Sequence, residues 1–371
     1  MGENNMKLEM DRRNFLKTAG GVTLAMSASL LTGCGGSDGG ATAPGGSNNS
    51  GAGNGGGTSG SGSGEEKPGG GSDTGNGEQT SDQVIWQFGE YGDGTAYLVD
   101  FDKKGKRPSG DIVIPSQSDK GSRVTRIQTS ALTGYTGFDS AIPEVTSVTL
   151  PGTVEEIGMY AFAQAAQMKT ITMPGCKKIE QEAFYQCKKL ETVEFGSIQT
   201  IDRMAFNDCT SLKNITLPKS LTKVGTWAFG NTGIESIVIP GTFEMGSNLF
   251  ANCVKLKKVI IEPGVTDLHD FRSCTALEEV IYMGTPGKSS CVWDECFYGC
   301  TSLQRIYLPK NISIQEGAFV SNVDKDPLPN LTDIYYEGSE TEWKNRMDWS
   351  ILENELKNVT VHYNADASKL M

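Results

Sequence analysis

The stretch Asn207-Asp208-Cys209-Thr210-Ser211-Leu212-Lys213-Asn214-Ile215-Thr216-Leu217-Pro218 carries the strand-bearing part of one structural unit of this chain. Ile215-Thr216-Leu217 alternates apolar and polar, the period of a strand with one buried face. Pro218 then closes the run. Working outward, Cys209 lies three residues after Phe206 and three before Leu212. That arrangement recurs along the chain. Phenylalanines stand at 162, 184, 206, 229, 250, 271, 297 and 319, separated by 22, 22, 23, 21, 21, 26 and 22 residues. Ile157, Ile179, Ile201, Val224, Met245, Val292 and Ile314 each precede a Phe by five positions. Cys187, Cys209, Cys253, Cys274 and Cys300 follow one by three, and Leu190, Leu212, Leu256, Leu277 and Leu303 come three further on. Each Leu opens a short alternating run: Ile171-Thr172-Met173, Val193-Glu194-Phe195, Ile237-Val238-Ile239 and Ile306-Tyr307-Leu308 match Ile215-Thr216-Leu217.

Each unit is therefore a short strand, a turn often marked by Pro, and a return segment carrying the Phe. A single unit cannot bury its own apolar face, whereas stacked neighbours share a continuous core. Leu-x-x-Val-x-Leu is the strand pattern of leucine-rich repeats, in which one parallel strand per turn lines a concave wall. The fuller string Ile-Gly-x-x-Ala-Phe-x-x-Cys-x-x-Leu-x-x-Val-x-Leu-Pro closely resembles the BspA-type leucine-rich repeat of bacterial surface proteins, over about eight units spanning residues 143–337. No Asn column follows the strand. The resemblance implies a β-rich solenoid, a right-handed leucine-rich-repeat coil with parallel strands on its concave face. It also implies adhesion, with a protein or glycan ligand on host or neighbouring cells. Departures are local: Thr266 and Asp270 break the columns around Phe271, and Thr285 to Ser290 and Asn322 to Pro329 lengthen two turns.

A bare solenoid end would expose core and strand edge, so both ends need caps. Residues 83–142 predict an N-terminal cap of hairpins (Trp86-Gln87-Phe88 and Tyr97-Leu98-Val99), then an atypical first repeat with Ala131-Leu132 where Ala-Phe would stand. Residues 338–371 predict a C-terminal cap: a helix within Glu340 to Leu356 turning Trp343, Met347 and Leu352 inward, and a closing strand at Val359-Thr360-Val361.

Residues 1–33 have the basic, apolar and small-residue parts of an export signal. Arg12-Arg13-Asn14-Phe15-Leu16-Lys17 resembles a twin-arginine signal, although Asp11 stands where that family has Ser or Thr, and the general secretory route stays open. Leu31-Thr32-Gly33-Cys34 looks like a lipobox, which implies lipidation of Cys34 and attachment to the membrane through that anchor alone. Residues 34–82 read as a Gly/Ser-rich tether: 19 of the 46 glycines fall between 35 and 80, with no Leu, Ile, Val, Met, Phe, Tyr, Trp or Cys among them. Such a segment cannot bury enough surface to offset its ordering entropy, and is expected to be a disordered coil with a root-mean-square span of roughly 35–42 Å. The formal charge of −12 divides as +1 for 1–33, −5 for 34–82 and −8 for 83–371, so no segment has the basic face that nucleic acid requires.

Nine cysteines invite a metal or catalytic reading. Five belong to the repeat column, and Cys296 replaces its Ala; small, buried and apolar is the default state of a free Cys. Column neighbours about one strand spacing apart, roughly 4.8 Å, are too distant for a disulfide, so thiols are expected. Cys291, Cys296 and Cys300 lack zinc-site spacing, and Cys176 sits at a turn. His269 and His362 are the only histidines, and His269, beside Asp267 and Asp270, would need a facing nucleophile to be catalytic. The sequence thus predicts no catalytic residues, metal site or cofactor. It predicts a binding protein, with a structural scaffold of the cell envelope as the alternative.

The candidate surface is the column of outward residues in mid-strand: Thr149, Thr172, Glu194, Thr216, Val238, Ile260, Ile281, Tyr307 and Tyr335. It turns from polar to apolar along the chain. Val238, Ile260, Ile281, Tyr307 and Tyr335 are the predicted partner-binding residues, because an exposed apolar stripe seldom lacks a partner and Tyr is enriched at hot spots. At the strand start, Lys169, Glu191, Lys213, Glu235, Lys257 and Glu278 alternate in sign, a pattern suited to register and solubility.

Overall fold

The structure, a computed structural model, describes residues 83–371 apart from 103, 133–141, 143, 288 and 347–351. The export signal, Cys34, the tether and Met347 lie outside those residues. The phenylalanine column is the spine: Phe162, Phe184, Phe206, Phe229, Phe250, Phe271, Phe297 and Phe319 are all fully buried. Consecutive rings stack with centroids 5.0 to 6.1 Å apart and planes within 11° of parallel. Offset stacking adds about 0.5–1.5 kcal/mol per pair beyond the area buried.

The return segments are tight turns. In most units the residues two before and two after the Phe have positive φ, as at Glu182 and Gln186, Met204 and Asp208, or Asn248 and Asn252. That conformation is uncommon for non-glycine residues; here it is set by the repeat and tied down between units. Phe162, Phe184 and Phe206 each donate a backbone N–H to the carbonyl of the residue before the next Phe, at 2.8 Å. The cysteine column is buried as expected. Each column thiol donates to the carbonyl of the preceding unit's Phe: Cys187 to Phe162, Cys209 to Phe184, Cys253 to Phe229, Cys274 to Phe250 and Cys300 to Phe271, at 2.9 to 3.2 Å. Burial pushes the Cys253 thiol up to about 12, so it stays protonated and unreactive at neutral pH. Cys176 is also buried, its thiol 3.2 Å from the Lys178 carbonyl, and likewise pushed up to about 12.

The strands form two walls around this spine. Short strands of the return side, Glu156–Ile157, Lys178–Ile179, Thr200–Ile201, Lys223–Val224 and Glu244–Met245, pair in parallel and continue the N-terminal cap. That cap is the expected antiparallel hairpin, Trp86–Glu90 with Thr95–Phe101, followed by Arg123–Ile127. The other wall carries the longer strands in two parallel sheets. Ser109–Val113, Glu144–Thr149, Thr170–Met173 and Thr192–Phe195 make the first. Ser236–Ile239, Lys258–Ile261, Glu279–Tyr282, Arg305–Leu308, Asp333–Tyr336 and Thr360–Tyr363 make the second. With one short α-helix and many parallel strands among the described residues, the fold is the β-rich leucine-rich-repeat solenoid read from the sequence.

The C-terminal cap also follows expectation: helix Glu340–Arg346 buries Trp343, Leu352 is buried, and Thr360–Tyr363 closes the sheet. Glu355 completes it in a way the sequence did not suggest. The last Phe-bearing turn has no following repeat to accept its amides, and the buried Glu355 carboxylate takes Gly317 N–H at 2.6 Å and Phe319 N–H at 3.1 Å instead. One side chain thus stands in for the carbonyls of an absent unit. Its burial raises the carboxyl above the ordinary range.

Ile215-Thr216-Leu217, expected as a strand, is not one. Only a single bridge, Thr192 to Asn214, reaches it, and the two long-strand sheets stop on either side. At the strand starts a backbone bond links each unit to the one before: Lys169 N–H to Thr146, Glu191 to Lys169, Lys257 to Glu235, Glu278 to Lys257, Gln304 to Glu278, Thr332 to Gln304 and Thr360 to Thr332, all 2.8 to 3.0 Å. Among the described residues, the two bonds that Lys213 would share with Glu191 and Glu235 are the missing links of that series. The spacing supplies a cause on the Glu235 side. Six residues separate Phe from the strand-opening Leu at Phe184, Phe206 and Phe250, but five separate Phe229 from Ile234. The shortened turn requires close approach at Gly233, where a Cβ would lie 2.4 Å from the Thr210 carbonyl oxygen. The strand after it starts one residue early relative to its Phe. The return side is unbroken there, with Lys223 paired to both Thr200 and Glu244.

Candidate functional site

The outward column does not form one exposed stripe. Val238 is 47% exposed and Ile260 half-buried, but Ile281 and Tyr307 are only 1% and 5% exposed. Tyr335 is half-buried, its ring stacked on His362 at 4.6 Å. The chain's own C-terminal segment accounts for Tyr307: the 3-10 turn Ala367–Lys369, capped by Asp366, brings the Ala367 N–H to the phenol oxygen. Burial and the nearby carboxylates of Glu337 and Asp366 push the phenol up to about 12. The expectation of a free apolar surface at Ile281 and Tyr307 is therefore corrected. Sequence patterning placed them on the outward face but could not show that the chain's end folds back over Tyr307.

What remains open lies at the break between the two sheets. A cleft of about 560 Å³ is lined by both of its edges. Ile215, Leu217 and Ile237 form its inner side, Val238 and Ile260 its outer apolar contacts, and Lys219, Lys258 and Glu262 its charged rim. Of its inward residues, Ile215 is 9% and Leu217 6% exposed, against 0% for Ile171, Val259 and Ile306. Lys258 is held on the rim by Glu279, 2.7 Å away, and Arg305 approaches the same carboxylate at 2.6 Å. Burial works against the Glu279 charge, and the two cations outweigh it, holding the carboxyl below its ordinary range.

Val238 and Ile260 of the predicted set are thus brought together. Ile215, Leu217 and the rim charges were missed. The signal that could have found them is the five-residue spacing from Phe229 to Ile234, which marks a fault between neighbouring strands.

The residues considered for chemistry fall elsewhere and serve structure. His269 pairs with Asp270, whose other oxygen accepts the Asn248 N–H. Asp267 accepts from the Cys291 N–H at 3.1 Å and the Trp293 indole N–H at 3.3 Å. Among the described residues, no group of three or more His, Cys, Asp or Glu could hold a metal ion. No described helix is long and apolar enough to cross a membrane.

Parallel strands repeating every 22 or so residues around a stacked aromatic spine define a leucine-rich-repeat protein. The chain belongs to the family of BspA type leucine rich repeat regions, whose model matches six copies over residues 134–257 and 241–325, together just over half of the chain. Solved structures similar to it include the Treponema (T. pallidum) leucine-rich-repeat protein TpLRR, 25% identical, with 59% of this chain and 88% of that one covered and a TM-score of 0.42. A leucine-rich cell surface protein of Faecalibacterium prausnitzii is 22% identical, with 72% and 98% covered and a TM-score of 0.36. The pneumococcal vaccine antigen PcpA is 17% identical, with 78% and 100% covered and a TM-score of 0.32. No curated protein matches the chain.

Proposed function

We propose that this is an exported, lipid-anchored surface protein of adhesin type, which acts by binding a protein partner rather than by catalysis. The observation that carries the reading is the open cleft at Val238 and Ile260, an accessible apolar site between the two long-strand sheets. The repeat family, with its implied adhesion, and the signal-like residues 1–33 ending at Cys34 support it. A capture assay against matrix proteins, glycans and neighbouring bacteria tests it, using the full chain and a Val238→Ser, Ile260→Thr double variant. Capture of a protein partner, at least tenfold weaker in the variant, is expected; capture undiminished in a folded variant would place the site elsewhere. Mass spectrometry of detergent-extracted protein should find Cys34 acylated at the mature N-terminus, and an intact leader would contradict the anchoring.

A further inference from the structure

We infer that the cleft binds its partner as an inserted strand: an extended polypeptide segment with apolar residues at alternate positions, seated between Asn214–Leu217 and Ser236–Ile239. The inference rests on the binding role proposed above and specifies its mode.

In a parallel ladder, a residue sends its N–H and C=O to the same side, and successive residues alternate sides. The Glu235 and Ile239 carbonyls accept from Lys257 and Glu262, on the C-terminal side. Ser236 and Val238, of opposite parity, therefore direct both backbone groups at the gap. Across it Asn214 bridges Thr192 on the far side, so Ile215 and Leu217, of opposite parity, direct their backbone groups at the gap, where they have no ladder partner among the described residues. Two facing rows of unpaired peptide groups are complementary to a polypeptide backbone, the recognition mode in which main-chain bonds supply affinity and side-chain pockets supply choice. A sugar or an isolated apolar side chain could not satisfy both rows at strand spacing.

The side chains of such a segment are also constrained. Alternate residues would point inward between Ile215, Leu217 and Ile237, which line the inner side of the cleft, so they must be apolar. Their neighbours would point outward beside Thr216, Val238 and Ile260, where polar or apolar residues fit. That is the pattern of the chain's own strands. The spine and the return side remain continuous across the gap, with Phe206 and Phe229 stacked at 5.5 Å and Thr200–Ile201 paired with Lys223–Val224, so the segment enters by spreading the long wall alone.

A synthetic peptide with the sequence of residues 168–175, Met-Lys-Thr-Ile-Thr-Met-Pro-Gly, is a suitable probe. Titrated into the full chain, it should bind saturably and slow amide exchange at Ile215, Leu217, Ser236 and Val238 at least tenfold. A version N-methylated at alternate residues keeps the side chains but loses the donors, and should bind at least tenfold more weakly; Val238→Pro, which removes a donor from the gap-facing edge, should weaken the parent peptide similarly. Absence of binding, equal binding of the N-methylated peptide, or protection that appears without peptide as chain concentration rises, marking a second copy as occupant, would each overturn the inserted strand. If the Val238→Ser, Ile260→Thr variant loses partner capture while N-methylation has no effect, the binding surface stands and only its strand mode fails.

Discussion

The unit at Asn214–Leu217 and the units from Lys258 onward share one spine and differ in their walls. Phe206 and Phe229 stack as closely as Phe297 and Phe319, at 5.5 and 5.6 Å. Yet Lys258–Ile261, Glu279–Tyr282 and Arg305–Leu308 pair residue by residue, whereas Asn214–Leu217 forms no strand. Core stacking and wall pairing are thus separable in this solenoid. The aromatic column fixes how units stack, and the one-residue-shorter turn after Phe229 goes with the lost pairing between Asn214–Leu217 and Ser236–Ile239.

The largest expected effect comes from attacking what the two regions share. Phe206→Ala removes a fully buried ring and should cost about 3–5 kcal/mol. Because repeat stability is nearly a sum of units and interfaces, the loss should appear first as faster amide exchange around residues 184–229, with the Asp333–Tyr336 region unaffected. Uniform loss of protection would contradict the separability.

Glu355→Ala acts on the continuous end alone, leaving the Gly317 and Phe319 amides without their acceptor, at about 1–3 kcal/mol for each group that stays buried. The carboxyl's pKa is raised in the folded state, so the fold holds more protons there than the unfolded chain and stability falls as pH rises above the unfolded value of 4.5 through the folded one. Lowering pH from neutral into that window should strengthen the C-terminal cap, and Glu355→Gln should abolish the dependence. Thermal unfolding across pH measures both.

A smaller effect is expected from restoring the register. Inserting one Ala after Asn231 returns the Phe229 turn to six residues and should let Asn214–Leu217 pair with Ser236–Ile239, with slower exchange there and weaker partner capture. Smallest is the alternating charge column: Lys169, Glu191 and Lys213 make no ion pair among the described residues, so their joint replacement by Thr should change stability by only ~0–1 kcal/mol and leave capture unchanged.

The spine, both caps and the cysteine column were legible because each follows from a repeated residue type at fixed spacing, a local property of sequence. The Ile215-Thr216-Leu217 strand was misread for the same reason: its alternation is intact, and what fails is its partner's register, set by a turn one residue short. Tyr307 was misjudged because its cover comes from the Asp366 turn, remote in sequence and without periodicity. Glu355 was invisible because capping an array by mimicking the next unit's carbonyls leaves no pattern.

The central claim is that the long-strand wall is open at this one unit and that partners bind there. Amide exchange on the partner-free full chain tests it most directly. The account predicts that Ile215, Leu217, Ser236 and Val238 exchange at least a hundredfold faster than Val259, Val280 and Ile306, which occupy the paired sheet. Equal protection along the whole column would show a closed wall and contradict it.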